Sequence, residues 1–328
     1  MRPFAYVRAE APDSAVAALR ERGPRAKYLG GGTNLVDLMK LGVETPDALI
    51  DVSRLPLREI EELPDGGLRV GAAVRNSELA GHRAVRERYP MLALALLSGA
   101  SGQLRNLATV GGNLLQRTRC SYFQDVSKPC NKRDPGSGCP AREGDHRNLA
   151  VIGNSDACVA THPSDMAVAL AALDAGVEVE GAGGARTIPV RELHRLPGDE
   201  PERDTVLEPG DLITAVTVPP LLFGGRSTYR KVRDRASFSF AVVSVAAAVA
   251  VEAGVVRDCR LALGGLAHKP WHAARAEQSL RGQPANEESF AAAAEAELDQ
   301  ARPLRDNGFK VPLARAVMVR TLMELCAA

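Results

Sequence analysis

The chain has 328 residues, enough for two or three packed subdomains around a substantial core. Its 41 basic and 40 acidic side chains leave a net charge of +1. The arginines are scattered without a basic stripe interleaved with aromatics, which argues against nucleic acid or an anionic membrane as partner. The longest apolar run, residues 240–251, has 12 residues and ends at Glu252, whereas a membrane-spanning helix needs roughly 20. The N-terminal residues show no apolar signal region and soon meet Glu10 and Asp13. The expected location is the cytoplasm, or the periplasm by co-export with a partner that carries a signal.

In chain order the pattern mixes α and β. Asp13 and Ser14 open a helix over 15–22 that stops at Gly23-Pro24, followed by a strand over 26–29, the turn Gly30-Gly31-Gly32 and a helix over 33–40. Strands are expected at 48–52 and 68–74, a helix starting at Asn76-Ser77-Glu78, and another over 90–97. Ser164 and Asp165 precede a helical run over 166–173, and a hairpin is expected over 177–190 around residues 181–184. The proline- and charge-rich stretch 195–210 reads as a surface loop, and 212–218 alternates as a half-buried strand. Pro219-Pro220 to Gly224-Gly225 is the best domain boundary. Beyond it come an antiparallel pair, 239–252 and 255–266, turning at Ala253-Gly254, and helices over 287–298 and 312–327.

Three loops carry nucleotide-binding chemistry. Lys27-Tyr28-Leu29-Gly30-Gly31-Gly32-Thr33-Asn34-Leu35 runs from strand through glycines into a helix, so backbone amides can approach a pyrophosphate closely. It is neither a dinucleotide fingerprint, because Leu35 stands where the last glycine belongs, nor a Walker loop. Thr109-Val110-Gly111-Gly112-Asn113 offers a second cradle. In the third loop, ordinary helix capping by Ser164-Asp165 competes with Asp165 accepting from a ribose.

Four cysteines, Cys120, Cys130, Cys139 and Cys158, lie between the second and third loops with spacing C-x9-C-x8-C-x18-C. Structural zinc sites use closer pairs, and no histidine is spaced to join them, so an iron–sulfur cluster suits the set better. Disulfides and free thiols remain as alternatives. Arg117, Arg119, Lys128, Lys132, Arg133, Arg142 and Arg147 crowd this stretch, and positive charge stabilises thiolates. His82, His194, His268 and His272 show no partner spacing, and Cys259 and Cys326 read as small buried hydrophobes.

These strings, with residues 99–106, Tyr229 to Ser237 and Gly264 to Trp271, resemble the FAD-binding medium subunit of the molybdenum hydroxylases, the xanthine dehydrogenase and carbon monoxide dehydrogenase family. Within it the likeness is greatest to the flavoprotein subunit of bacterial aldehyde oxidoreductases of the periplasmic type. The resemblance implies an α+β fold: an FAD-binding domain of the vanillyl-alcohol-oxidase (PCMH) type over 1–222, with subdomains of about 1–55 and 56–222, and a C-terminal α+β domain over 223–328. Asn113 and Thr161 stand 48 positions apart, where most members run directly from one loop to the next. This insertion, about 116–160, resembles the subgroup that carries an extra [4Fe–4S] cluster, as in 4-hydroxybenzoyl-CoA reductase.

Carried over, the resemblance implies that residues 27–35 follow the FAD pyrophosphate, Thr109, Gly112, Asn113 and Gln116 line the flavin and phosphate side, and Asp165 lies on the adenosine side. Ile213 and Lys231 match positions near the flavin, and the four cysteines hold the cluster. The implied role is electron transfer inside a heterotrimer. A large subunit holds the molybdenum cofactor and oxidises the substrate, a small subunit holds [2Fe–2S] clusters, and FAD here passes electrons to an external acceptor. Other molybdenum hydroxylases of the xanthine, CO or aromatic acyl-CoA type, a zinc or redox-sensing binding protein, and a stand-alone flavin oxidase are the rival readings.

Overall fold

The computed structural model describes residues 1–223 and 226–327, and three sheets organise them. The first is parallel, order β1-β3-β2, from β1 (Ala5–Arg8), β2 (Ala26–Leu29) and β3 (Ala48–Asp51), with β3 paired to both neighbours. Parallel neighbours need crossovers, and the helices Pro12–Arg22 and Leu35–Leu41 occupy them. The first helix begins earlier than expected. Pro12 sits in its first turn, and Ser14 lies at the third position, exchanging hydrogen bonds with Ala11, so it is not the cap.

The second sheet has order β4-β5-β8-β6-β7, from β4 (Ile60–Glu62), β5 (Leu68–Gly71), β6 (Gly176–Gly181), β7 (Gly184–Pro189) and β8 (Leu212–Val218). The expected hairpin is β6 and β7, paired from Gly176↔Pro189 to Gly181↔Gly184. The third sheet has order β12-β11-β10-β9, from β9 (Ser227–Val232), β10 (Val243–Glu252), β11 (Val255–Gly264) and β12 (Trp271–His272). The antiparallel pair turns where expected, and β10 starts at Val243 rather than 239.

Period-two alternation explains how the third sheet joins the molecule. Along β10, Val243, Val245, Ala247 and Val249 face a core completed by the helices Ala274–Leu280, Glu287–Leu298 and Lys310–Ala327. Ala246 and Ala248 face the other core, where small side chains let the helices Pro90–Ser98 and Asp165–Ala172 approach. The C-terminal sheet is therefore buried on both faces and shares a core with the preceding residues. Of the expected boundary, Gly224 and Gly225 lie outside the described residues.

The cysteine stretch has almost no regular structure. Between residues 116 and 160 there is one helical turn at Ser121–Gln124 and a short 3-10 turn at Pro140–Arg142, around a small core of Leu38, Phe123, Ala141, Leu149 and Val159. Among the described residues no helix is long and apolar enough to cross a membrane.

Candidate cofactor site

Outside the carboxyl end of β2, a usual place for ligands in parallel sheets, the chain turns through Gly30-Gly31-Gly32. A Cβ on Gly31 would fall 1.9 Å from the Leu107 carbonyl oxygen, and Gly32 has φ +73°, so glycine is required at both. The helix that follows starts at Leu35, later than the expected residue 33. Thr109 caps the short helix Val110–Leu114, its hydroxyl accepting from the Gly112 amide at 3.2 Å. A Cβ on Gly30 or on Gly112 would stand 3.0 Å from that same oxygen. The two glycine loops thus meet around one hydroxyl.

Between them and the second sheet opens a cavity of about 1000 Å³. It gathers Lys27, Tyr28, Gly30, Gly31, Gly32, Thr33, Asn34 and Leu35 with Thr109, Gly112, Gln116 and Ile213. Leu29 instead supports Gly32 from behind. The Tyr28 hydroxyl donates to the Gly210 carbonyl at 2.8 Å, and burial, then Asp211, pushes its pKa up. Asn34 Oδ1 accepts from the Arg117 amide at 2.8 Å while its buried Nδ2 has no partner. Such an unspent donor fits a polar ligand. The stretch 195–210 is not merely a surface loop: Glu202, Arg203, Asp204 and Thr205 form part of the cavity wall.

Three histidines that the sequence gave no reason to group line one end of the cavity. The rings of His162 and His194 stand 4.2 Å apart, and His268 lies beside Asp204. Burial lowers the pKa of all three, that of His268 to about 4, so they are neutral near pH 7. His162 Nε2 and His194 Nδ1 have no protein partner. Asp204 takes Lys132 Nζ on Oδ1 at 2.5 Å. Arg117 Nε lies 2.5 Å from its Oδ2, but off hydrogen-bond alignment. Burial opposes charge on Asp204, yet Arg117, Lys132 and His268 hold its carboxyl far below the usual range. The three histidines stand 32 or more positions apart, so no local spacing could have signalled them.

Asn113, Asp165 and Lys231 do not line the cavity. Asn113 Oδ1 accepts from Gln116 Nε2 at 2.9 Å and from the Ser164 hydroxyl at 2.6 Å, tying the second loop to the third. Ser164 also caps the helix Asp165–Ala172. Asp165 accepts from the Tyr229 hydroxyl at 2.6 Å and Lys231 Nζ at 2.7 Å. Asp165 and Lys231 are thus one buried ion pair, with one hydrogen bond on each carboxylate oxygen.

Cys120, Cys130, Cys139 and Cys158 converge on one small pocket with Lys132, and no disulfide forms. Nearby main-chain groups favour the thiolates of Cys120, Cys139 and Cys158, but burial is the larger influence on each. Burial raises the thiol pKa values, that of Cys158 to about 12. The void among the thiols is about 10 Å³, about one water, so a larger group requires the thiols to swing outward. Of the seven basic residues nearby, Lys132 reaches the pocket. Arg133 instead caps the carbonyls of Tyr122 and Phe123, and Arg142 and Arg147 pair with Asp156 and Asp234.

A parallel β-α unit with a glycine turn, a facing second glycine loop and a long cavity between them define a nucleotide-binding class of fold. Residues 2–221 match the family model of the FAD binding domain in molybdopterin dehydrogenase, and residues 196–325 that of the CO dehydrogenase flavoprotein C-terminal domain. The chain belongs to this family, the FAD-binding medium subunits of the xanthine and CO dehydrogenase type. It is 52% identical to the aldehyde oxidoreductase FAD-binding subunit PaoB of Escherichia coli K12, over 99% of this chain and 98% of that one. The glyceraldehyde dehydrogenase medium chain of Sulfolobus acidocaldarius is 27% identical over 87% of this chain and 83% of its own. A carbon monoxide dehydrogenase structure from Hydrogenophaga pseudoflava superposes with TM-score 0.78 at 26% identity, covering 99% and 98% of the two chains.

Proposed function

We propose that this chain is the electron-transfer flavoprotein subunit of a molybdenum-containing aldehyde oxidoreductase, assembled with a large molybdenum-cofactor subunit and a small [2Fe–2S] subunit. The observation that carries this reading is the two-loop glycine cavity in a chain half identical, end to end, to an aldehyde oxidoreductase FAD subunit. FAD, when bound, supplies an acceptor that takes electrons singly and stores a pair. This chain's residues bind and orient it. Residues 27–35 except Leu29 follow the pyrophosphate with Thr109 and Gly112, while Gln116 and Ile213 bound the cavity. Asn113 fixes Gln116, and Asp165 anchors Lys231 rather than accepting from a ribose. The division between the two domains is kept at about residue 222.

The four cysteines are proposed to hold a [4Fe–4S] cluster. A single zinc ion would draw four sulfurs to about 2.3 Å of one point, and among the described residues no group of three or more His, Cys, Asp or Glu is gathered for one ion. Four thiols around one pocket, with the buried Lys132 beside them, suit an anionic group that bridges all four. The test of function is flavin absorbance under anaerobic aldehyde. Bleaching is expected when both partner subunits are present and not with this chain alone. Bleaching of the isolated chain would establish a stand-alone oxidase instead.

A further inference from the structure

Two sites that look separate in sequence share one wall. The insertion of residues 116–160 reaches the stretch 195–210 through the Lys132 side chain, fully buried, whose Nζ meets Asp204 Oδ1 and the Pro201 carbonyl, each at 2.5 Å. A second tie is the Ser155 hydroxyl on the Gly198 carbonyl at 2.7 Å. On its other side Asp204 contacts Arg117, whose amide holds Asn34 of the first glycine loop and whose Nη1 meets Glu44 at 2.6 Å.

We propose that Asp204 is a positioning residue coupling the cysteine pocket to the flavin cavity: what cross-links the four cysteines orders the 195–210 wall, and so sets FAD affinity. The inference rests on the reading of the two cofactor sites given above. The insertion has too little regular structure and too small a core to hold its shape unaided, and such segments take their order from the metal group they bind. Lys132, placed between Cys130 and Cys139, passes that order to Asp204 and Pro201. The wall carrying Glu202 to Thr205 follows, and binding energy spent on ordering it is saved when it is already fixed.

The experiment compares anaerobically purified full-length chain with the same protein stripped of iron by a chelator, reading FAD dissociation by flavin fluorescence. Stripping is expected to weaken FAD about tenfold, within the usual range of coupling between sites. Asp204→Asn is expected to bind FAD weakly with or without iron, and Asp204→Glu to restore the dependence. FAD affinity indifferent to iron in the unmodified chain, or an Asp204→Asn variant with the full iron response, overturns the proposal. Tryptic cutting after Arg203 in the unmodified chain needs no variant to fold: faster cutting on stripping supports the coupling, and an unchanged rate overturns it. Protein that binds neither flavin nor iron would sink the underlying reading instead, a result these readouts tell apart.

Discussion

A methyl group at position 31 would meet the Leu107 carbonyl oxygen at 1.9 Å, and neither backbone can yield without separating the two glycine loops. Gly31→Ala is therefore expected to lower FAD affinity by about tenfold or more, about 1.4 kcal/mol. Gly81→Ala, with open space around its Cβ, is the silent control. Full flavin affinity in the first variant would contradict this account of the cradle. His194 and His268 give a second residue-scale prediction. Burial, then like charges, holds His268 at about pKa 4. The unfolded chain takes up protons below about pH 6.5 that the folded chain refuses, so stability falls as pH drops from there toward 4. His268 alone contributes on the order of 3 kcal/mol of that loss, and His268→Gln should flatten the fall in urea midpoints between neutral and acid buffer. A midpoint independent of pH in the unmodified chain would contradict it. At this scale the glycine loops and cysteines were legible because each is a local string. The histidine end and Lys132–Asp204 were not, because burial and long-range loop contact create them.

The helix Ala274–Leu280 shows why some elements escaped the sequence. Its cap residue is Ala273, with no side chain to accept the first amides. Glu297, buried in the next helix, caps it across the core, accepting from the Arg275 and Ala276 amides at 2.9 and 3.1 Å and from Trp271 Nε1 at 2.8 Å. Removing that carboxylate leaves buried donors unpaired, so Glu297→Ala is expected to cost about 3 kcal/mol in urea unfolding. A cost under about 0.5 kcal/mol, the range of an ordinary surface change, would refute the cross-helix cap. The helix Glu287–Leu298, by contrast, has its own cap in Asn286, which accepts from Ser289, and its bounds were readable from sequence. β1 was missed because its four residues are largely exposed and earn strand form from pairing with β3 alone.

At the scale of the molecule, three sheets hold two candidate cofactor sites against one another. A mixture of α and β followed from alternating patterns and turn residues, and the α+β class from the family resemblance. How the sheets meet did not, because Ala246 and Ala248 pack on helices from the first half of the chain. The long insertion is irregular, with one helical turn and one 3-10 turn between residues 116 and 160. The most direct test of the central claim is iron, acid-labile sulfide, zinc and FAD per chain on anaerobically purified full-length protein. The account predicts one FAD with about four irons and four sulfides. Zinc without flavin would contradict it.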